Sequence, residues 1–527
     1  MSRASGVSTA AAVFLTVAVG CGTPEPRDAE IARPNIVVIM ADDMGYSDVG
    51  AYGGEIDTPN IDELARGGVR FNRFYNTARC WTTRASLLTG RYPHQVGLGG
   101  GITAVDQPLG EPGPRQGYLD ESTPTIAEVL GAAGYATYMA GKWHVGERPE
   151  HWPRQRGFDR YFGLISGASS YFEIIRSQPR IRQMALDDDA WEPPNDGFYM
   201  TDAITDYAVR FVDGHASERR GEPFFLYVAY TAPHWPLHAL PEDIARYADR
   251  YQRGWDQIRA ERHARMIESG IIDESYTLSP RPPSIPPFTE AENPDGWARR
   301  MQVYAAMVDR LDQGVGRIRE SLRAANLYEN TLILFLADNG GSAENIAGRD
   351  LNDPAVPIGG RGSYVAYRAP WANVSNTPFR RYKSWMYEGG ISTPLIAHWP
   401  QGITEPGRTS TRVGHVIDLL ATSLELAGAG DVPSLSLEGR SFAGVLAGRV
   451  GETHDALYWA HQGHRAMRRD DWKIVFAPVN DRWELYDLSV DPTELDDMAA
   501  ANPDRLAAMI EAWEEWARRT GVQTISP

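Results

Sequence analysis

Only two cysteines, Cys21 and Cys80, occur in the 527 residues of the chain. A fold held by a network of disulfides is excluded, and if Cys21 is modified no intrachain disulfide can form. Positive charge is also short: 52 Lys and Arg stand against 69 Asp and Glu, a formal net charge of -17. Nucleic acid and anionic membrane surfaces need basic patches and are excluded as main partners, so an anionic ligand requires a locally cationic pocket. Long apolar runs are missing too. The stretch from Ala10 to Val19 is too short to cross a bilayer, and no internal repeat is visible. What is present is enough chain to bury a sizeable core.

The first residues have the layout of an export signal: Arg3, the apolar run, then Val19-Gly20-Cys21. Small residues directly before Cys21 look like a bacterial lipobox, which makes residues 1–21 a lipoprotein-type signal and Cys21 the lipidated first residue of the mature chain. An ordinary signal peptide cut near the same place and an uncleaved tail are the alternatives. Thr23-Pro24-Glu25-Pro26-Arg27 opens a tether over residues 22–34 that has no hydrophobic pattern. The expectation is an exported protein, periplasmic or at the cell surface, touching membrane only through a lipid anchor.

Three continuous apolar runs, over residues 35–40, 223–230 and 331–337, mark strands buried on both faces. Each is followed by polar residues: Asp42 and Asp43 after the first, His234 after the second, Asp338 and Asn339 after the third. In open α/β sheets ligands collect outside the carboxyl ends of the strands, so these groups can meet although far apart in sequence. Adjacent buried carboxylates repel unless a cation or hydrogen-bond donors compensate them. Taken alone, a helix cap explains Asp42 or Asp43 equally well.

Between these runs, Thr58 and Pro59 start a helix, and residues 70–75 read as a strand leading to Cys80. That cysteine therefore sits at a strand-to-helix turn, where the helix amino terminus offers N–H groups and a positive dipole end. A lone buried cysteine is otherwise most often a small hydrophobe. A helix over 123–133 and a strand over 135–139 lead to Lys142 and His144, two apart and so on one side of an extended segment. Asp187-Asp188-Asp189 reads as a loop, 201–213 as a helix, 254–296 as an insertion shaping the substrate entrance, and 304–322 as an amphipathic helix. Lys383 precedes Glu388-Gly389-Gly390 in a glycine-ended loop. Past Gly439 short, turn-separated strands suggest an antiparallel sheet, followed by a helix capped by Asn502. The fold class is α/β: a large mixed, mostly parallel sheet flanked by helices over 35–450, with a small antiparallel sheet plus helix over 451–527.

The stretch Cys80-Trp81-Thr82-Thr83-Arg84-Ala85-Ser86-Leu87-Leu88-Thr89-Gly90-Arg91 resembles the signature of the type I sulfatases: Cys or Ser, any residue, Pro or Ala, any residue, Arg, then a Leu-Thr-Gly-Arg-like segment. Thr82 stands where Pro or Ala is usual. Asp42-Asp43, Gly141 to His144, Ala232-Pro233-His234, Asp338-Asn339-Gly340, Lys383 with Glu388-Gly389-Gly390, and Trp483 to Leu488 each look like a block of that family, in family order. The whole is similar to the bacterial arylsulfatases of the alkaline-phosphatase-like superfamily.

The resemblance implies that residues 35–450 hydrolyse sulfate monoesters, of an aryl alcohol or a carbohydrate. It implies that a formylglycine-generating enzyme oxidises Cys80 to Cα-formylglycine, whose hydrate is the nucleophile. It also implies one divalent cation held by Asp42, Asp43, the modified Cys80, Asp338 and Asn339; hard oxygen ligands favour calcium, with magnesium second. Arg84, Lys142 and Lys383 supply positive charge for the sulfate. On the same resemblance, one hydroxyl of the hydrate attacks sulfur with Asp338 as proton acceptor. His234 with Lys383 protonates the leaving group, and His144 takes the proton of the second hydroxyl so that sulfate is expelled. The alternatives are a phosphate or phosphonate ester hydrolase of the same superfamily, and a non-catalytic lipoprotein that binds sulfated glycans through an unmodified Cys80 pocket.

Overall fold

The computed structural model describes residues 33–175, 181–347, 351–429 and 435–523, together with 1, 2 and 6. Cys21 and residues 7–32, where most of the signal and tether were expected, lie outside them. Among the described residues no helix is long and apolar enough to cross a membrane.

The strands, in chain order, are β1 Asn35–Ala41, β2 Val69–Tyr75, β3 Ala136–Gly141, β4 Arg160–Leu164, β5 Met184–Leu186, β6 Asp189–Ala190, β7 Phe224–Ala229, β8 Thr331–Ala337, β9 Ser392–His398, β10 Arg408–Ser410, β11 Gly414–His415, β12 Leu457–His461, β13 His464–Arg469, β14 Trp472–Ala477 and β15 Arg482–Asp487. The first eleven form one sheet, ordered β10-β2-β9-β8-β1-β7-β3-β4-β5-β6, with β11 beside β2. Its centre, from β8 through β1, β7 and β3 to β4, is parallel, while β9 and the β4-β5-β6 edge run antiparallel to their neighbours. The expected mixed, mostly parallel sheet is therefore present.

The apolar run of β1 is continuous because both of its faces are covered. Val37 and Ile39 pack into one core with the helices Met200–Glu218 and Pro294–Ala324. Ile36, Val38 and Met40 pack into the other, with the helices Cys80–Thr89, Ile126–Ala132 and Asp418–Leu426. Each such side chain taken from water contributes about 1.5–3 kcal/mol.

Register then fixes where the chain leaves the sheet. Ala41 lies opposite Ala337, and Gly141 opposite Ala229, so Asp42, Asp338, Lys142 and Tyr230 emerge in a row at one edge.

Several local expectations are corrected. Thr58 precedes the helix Pro59–Arg66 but does not cap it with its side chain; Asp312, from the long helix alongside, accepts the amides of Asn60 at 3.2 Å and Ile61 at 2.8 Å. Asn502 likewise precedes the last helix without a side-chain cap. The helix expected from residue 123 begins at Ile126, where Thr125 and Glu128 form a reciprocal capping box. Of the three aspartates at 187–189, Asp187 and Asp188 turn the β5-β6 hairpin, and Asp189 opens β6 opposite Leu186. In the insertion, the helix Gly254–Glu268 carries two buried arginines that brace the scaffold. Arg262 donates to Asp48 at 2.7 Å and Arg259 to the Asn373 carbonyl at 3.0 Å.

Strands β12 to β15 form the expected four-stranded antiparallel sheet, covered by Met509, Trp513 and Trp516 of the helix Pro503–Thr520. Its apolar cluster continues into Tyr75, Met386, Tyr387 and Ile417 of the large sheet's surroundings. A buried charge sits in this contact: Lys473 Nζ lies 2.7 Å from Glu388 Oε1 and 2.7 Å from Glu494 Oε1. Replacing Lys473 by alanine leaves two buried carboxylates without their shared cation, and urea denaturation of Lys473→Ala is expected to show a loss of about 3–5 kcal/mol.

Candidate active site

Cys80 is the first residue of the helix Cys80–Thr89, entered from an extended Arg79. It is 2 % exposed. Thr77 shapes the turn before it: its amide donates to Thr83 Oγ1 at 3.0 Å, and its hydroxyl donates to Thr82 Oγ1 at 2.8 Å. Thr82 in turn donates to the Arg79 carbonyl at 2.9 Å. The residue that departs from the sulfatase signature is thus tied into the backbone of the turn.

Around Cys80 the strand ends deliver three carboxylates and Lys142, the helix delivers Arg84 and a loop delivers Lys383, all buried. Lys142 Nζ is 2.6 Å from Asp42 Oδ2. Arg84 Nη2 donates to Asp338 Oδ2 at 2.9 Å while Nη1 donates to the Lys142 carbonyl at 2.9 Å. Lys383 Nζ is 2.6 Å from Asp43 Oδ1. The Asp43 amide donates to Asp338 Oδ1 at 3.1 Å, and Asn339 Nδ2 donates to Asp43 Oδ1 at 2.7 Å. Cys80 Sγ lies 3.9 Å from Asp43 Oδ1. The pocket is therefore not simply cationic, as an anion binder among acidic surroundings was expected to be: its three positive charges are each held by an aspartate.

These contacts shift the ionisable groups. Burial and the neighbouring Asp338 push Asp42 up, whereas Asp338, against its own burial, is held low by Arg84 and Lys142. Burial pushes the Cys80 thiol far above its usual range, with Lys142 and Lys383 too weak to restore it. An unmodified Cys80 is accordingly a poor thiolate nucleophile. Burial lowers His234 to about 3, Asp43 opposing. Lys383 stays above the ordinary lysine range because Asp43, Cys80 and Glu344 outweigh its burial.

His234 directs Nδ1 to the Trp235 carbonyl at 2.6 Å, which fixes that nitrogen as the donor, and brings Nε2 to 3.4 Å from Asp43 Oδ2. Ligand atoms of Asp42, Asp43, Cys80 and His234 all lie within 4.8 Å of one another. Two further buried oxygens, Asp42 Oδ1 and Asn339 Oδ1, have no hydrogen-bond partner. Buried oxygens normally have one, and a hard cation among these donors would satisfy both.

Lys142 and His144 do not lie on one extended segment. The chain turns at Gly141, φ 126°, and His144 takes φ 56°, so alternation fails between them; the His144 ring meets the edge of Trp81, centroids 5.7 Å apart. Left-handed backbone recurs around the pocket, at Asp43 (64°), Ala78 (63°), Arg381 (67°) and Ser384 (75°), each costing about 1–3 kcal/mol that the surroundings must hold. Gly340 is required by close packing: a Cβ there would lie 2.0 Å from the Gly389 carbonyl oxygen. The Gly340 amide donates to the Gly390 carbonyl at 3.2 Å, which locks the Asp338 loop to the Lys383 loop.

Two residues of the site escaped the sequence reading. Arg79 pairs with Glu344 at 2.9 Å and donates to Ser384 at 2.9 Å. Glu344 also accepts from Trp235 Nε1 at 2.6 Å and lies 3.6 Å from Lys383. The available signal was position, since Arg79 adjoins Cys80 and Glu344 follows Asp338 in one loop.

The chain is similar to known proteins along most of its length. The sulfatase family model matches residues 34–429, and the model described as N-sulphoglucosamine sulphohydrolase, C-terminal, matches 380–514. An arylsulfatase of Klebsiella aerogenes is 35% identical over 81% of this chain and 92% of its own. An uncharacterised sulfatase of Schizosaccharomyces pombe is 33% identical over 94% and 96%. The crystal structure of Ps i-CgsB in complex with k-i-k-neocarrahexaose superposes with a TM-score of 0.69 at 28% identity, covering 92% of this chain and 93% of that one. With the sulfatase model matching most of the chain and relatives above 30% identity covering most of its length, the chain belongs to the sulfatase family and is a type I sulfatase of the alkaline-phosphatase-like superfamily.

Proposed function

We propose that this sulfatase cleaves the sulfate monoester of a carbohydrate at the Cys80 pocket, with Cys80 converted to formylglycine and calcium held by Asp42, Asp43, Asp338, Asn339 and position 80. The observation that carries the reading is the burial of Cys80 at a helix start among three ion-paired aspartates. Three cations and three carboxylates cancel, so the pocket as built by the chain has no net pull on an anion. A bound divalent cation supplies the missing positive charge and polarises a sulfate oxygen. A formylglycine hydrate at position 80 supplies a nucleophilic hydroxyl that the high-pKa thiol does not. The carbohydrate class is supported by the glycan bound in the Ps i-CgsB structure and by the match to the N-sulphoglucosamine sulphohydrolase model.

The chain's own residues then divide the work. Arg84 orients Asp338, whose other oxygen is occupied by the Asp43 amide, so that this carboxylate is fixed beside position 80 as proton acceptor. Lys142 and Arg84 carry charge toward the sulfate oxygens. Lys383 Nζ and His234 Nε2 both face Asp43, and we assign them to the leaving-group oxygen, with His144, whose ring meets Trp81, accepting the proton that accompanies sulfate release. The same reading keeps the protein exported and anchored through an acylated Cys21, which an acyl mass on the mature amino terminus supports and a free or absent cysteine there refutes.

Three outcomes are expected. Mass spectrometry of the tryptic peptide spanning Cys80 to Arg84, from the native host, shows an aldehyde in place of the thiol; thiol in every molecule sinks the formylglycine reading. Lys383→Ala lowers kcat for an aryl sulfate by about 10²–10³-fold, with aryl phosphate turnover by the unaltered enzyme remaining the slower reaction. Chelation with EDTA removes activity and lowers Tm, calcium restores both, and magnesium restores less, because a ligand bound only by the folded state stabilises it.

A further inference from the structure

The carboxylate of Glu344 has no part in the chemistry assigned above, yet three elements of the pocket converge on it. Its loop is laid against the Lys383 loop. Beyond the bond from the Gly340 amide to the Gly390 carbonyl, the Lys383 amide donates to the Gly341 carbonyl at 3.2 Å, and the Gly341 amide donates to Asn376 Oδ1 at 2.9 Å. The backbone is therefore anchored three residues before Glu344.

The two carboxylate oxygens hold different partners. Oε2 accepts from Trp235 Nε1 at 2.6 Å and lies 3.6 Å from Lys383 Nζ, while Oε1 pairs with Arg79 Nη1 at 2.9 Å. Trp235 is also the residue whose carbonyl takes His234 Nδ1, and its ring lies against the imidazole, centroids 4.5 Å apart. Fixing the indole thus fixes the surface on which His234 rests. Arg79 returns the contact to the Lys383 loop by donating to Ser384 Oγ at 2.9 Å, and its guanidinium lies 5.0 Å from the centre of the Trp81 ring. The turn before Cys80, the turn that carries His234 and the loop that carries Lys383 share one carboxylate.

Charge strengthens these contacts. Burial opposes ionisation of Glu344, but Lys383, then Arg79, hold its carboxyl well below the usual carboxylate range, and hydrogen bonds to an ionised acceptor are stronger than those to a neutral one. The Lys383 ammonium ends a flexible stem. With Asp43 at 2.6 Å and Glu344 at 3.6 Å it is held by two carboxylates from separate elements, and Asp43 Oδ1 must also accept from Asn339. Glu344 is the second, independent hold on that cation.

We propose that Glu344 is a positioning residue for departure of the leaving group: it holds Lys383 directly and His234 through Trp235, so that Lys383 Nζ and His234 Nε2 approach one oxygen together. It acts through these two side chains and touches no reacting atom. The proposal rests on the assignment of Lys383 and His234 to the leaving-group oxygen. Its consequence is that Glu344 matters most where the departing oxygen most needs a proton.

The test compares kcat/KM for phenyl sulfate, whose phenolate departs only with help, with that for 4-nitrophenyl sulfate, whose phenolate departs readily, on full-length protein shown to turn over the nitrophenyl ester. In Glu344→Ala the ratio of phenyl to nitrophenyl kcat/KM is expected to fall about tenfold, part of the roughly 10²–10⁴-fold that a positioned proton-transfer group contributes. Glu344→Gln, which can still accept from Trp235 but offers Lys383 no charge, is expected to lower the ratio less, and it carries the test if the alanine variant does not fold. Lys383→Ala and His234→Ala are the references, each expected to lower the ratio further than either Glu344 variant. A ratio unchanged in the Glu344 variants that fold, both substrates being slowed equally, while the references lower it, overturns the positioning role. A ratio unchanged in both references overturns the leaving-group assignment, and the proposal with it.

Discussion

The register of four parallel strands governs this molecule. Because β3, β7, β1 and β8 are hydrogen-bonded in line, the residues following Gly141, Ala229, Ala41 and Ala337 leave the sheet side by side. That places Lys142, Asp42 and Asp338 in one row, buried between two apolar cores. Carboxylates brought together out of water are unfavourable unless opposite charge meets them, and the Arg84 guanidinium, arriving from the helix that begins at Cys80, supplies it to Asp338 at 2.9 Å. The helix that begins at Cys80 is thus held in place by the charge it neutralises.

Much of the remaining structure holds this arrangement. Asp43 sits in left-handed backbone, φ 64°, secured by the bond from its amide to Asp338. The turn beyond it is tied by Asp48, which accepts from the Gly45 amide at 2.8 Å, from Tyr304 at 2.6 Å and from Arg262 of the insertion at 2.7 Å. On the other flank the glycines at 340 and 389 allow two loops to touch backbone to backbone, bringing Lys383 against Asp43. Strain at the pocket is offset by packing some distance from it, as is general where geometry must be fixed in advance.

The small C-terminal sheet is part of the same construction. Its apolar face continues into Tyr75 and Ile417, its Lys473 is shared with Glu388 of the Lys383 loop, and its first hairpin brings His461 against Trp81. One element stabilises the loop, and the other packs on the helix that begins at Cys80.

The amino-acid sequence by itself determined the strands, because continuous apolar runs survive only where both faces are covered, and it determined the chemistry at their ends, because Asp42, Asp43, Asp338, Asn339 and the stretch from Cys80 to Arg84 are local patterns. The mixed sheet, the four terminal strands and the candidate nucleophile were all legible on those grounds. Pairings between distant segments were not. That Thr58 would leave its helix to Asp312, that His144 would turn out of extended backbone, that Arg79 and Glu344 would join the site, and that each cation would be held by a particular aspartate all depend on contacts between residues far apart in sequence. Tertiary structure alone decided these, since hydrophobic periodicity carries information about which face is buried and none about which partner is met there.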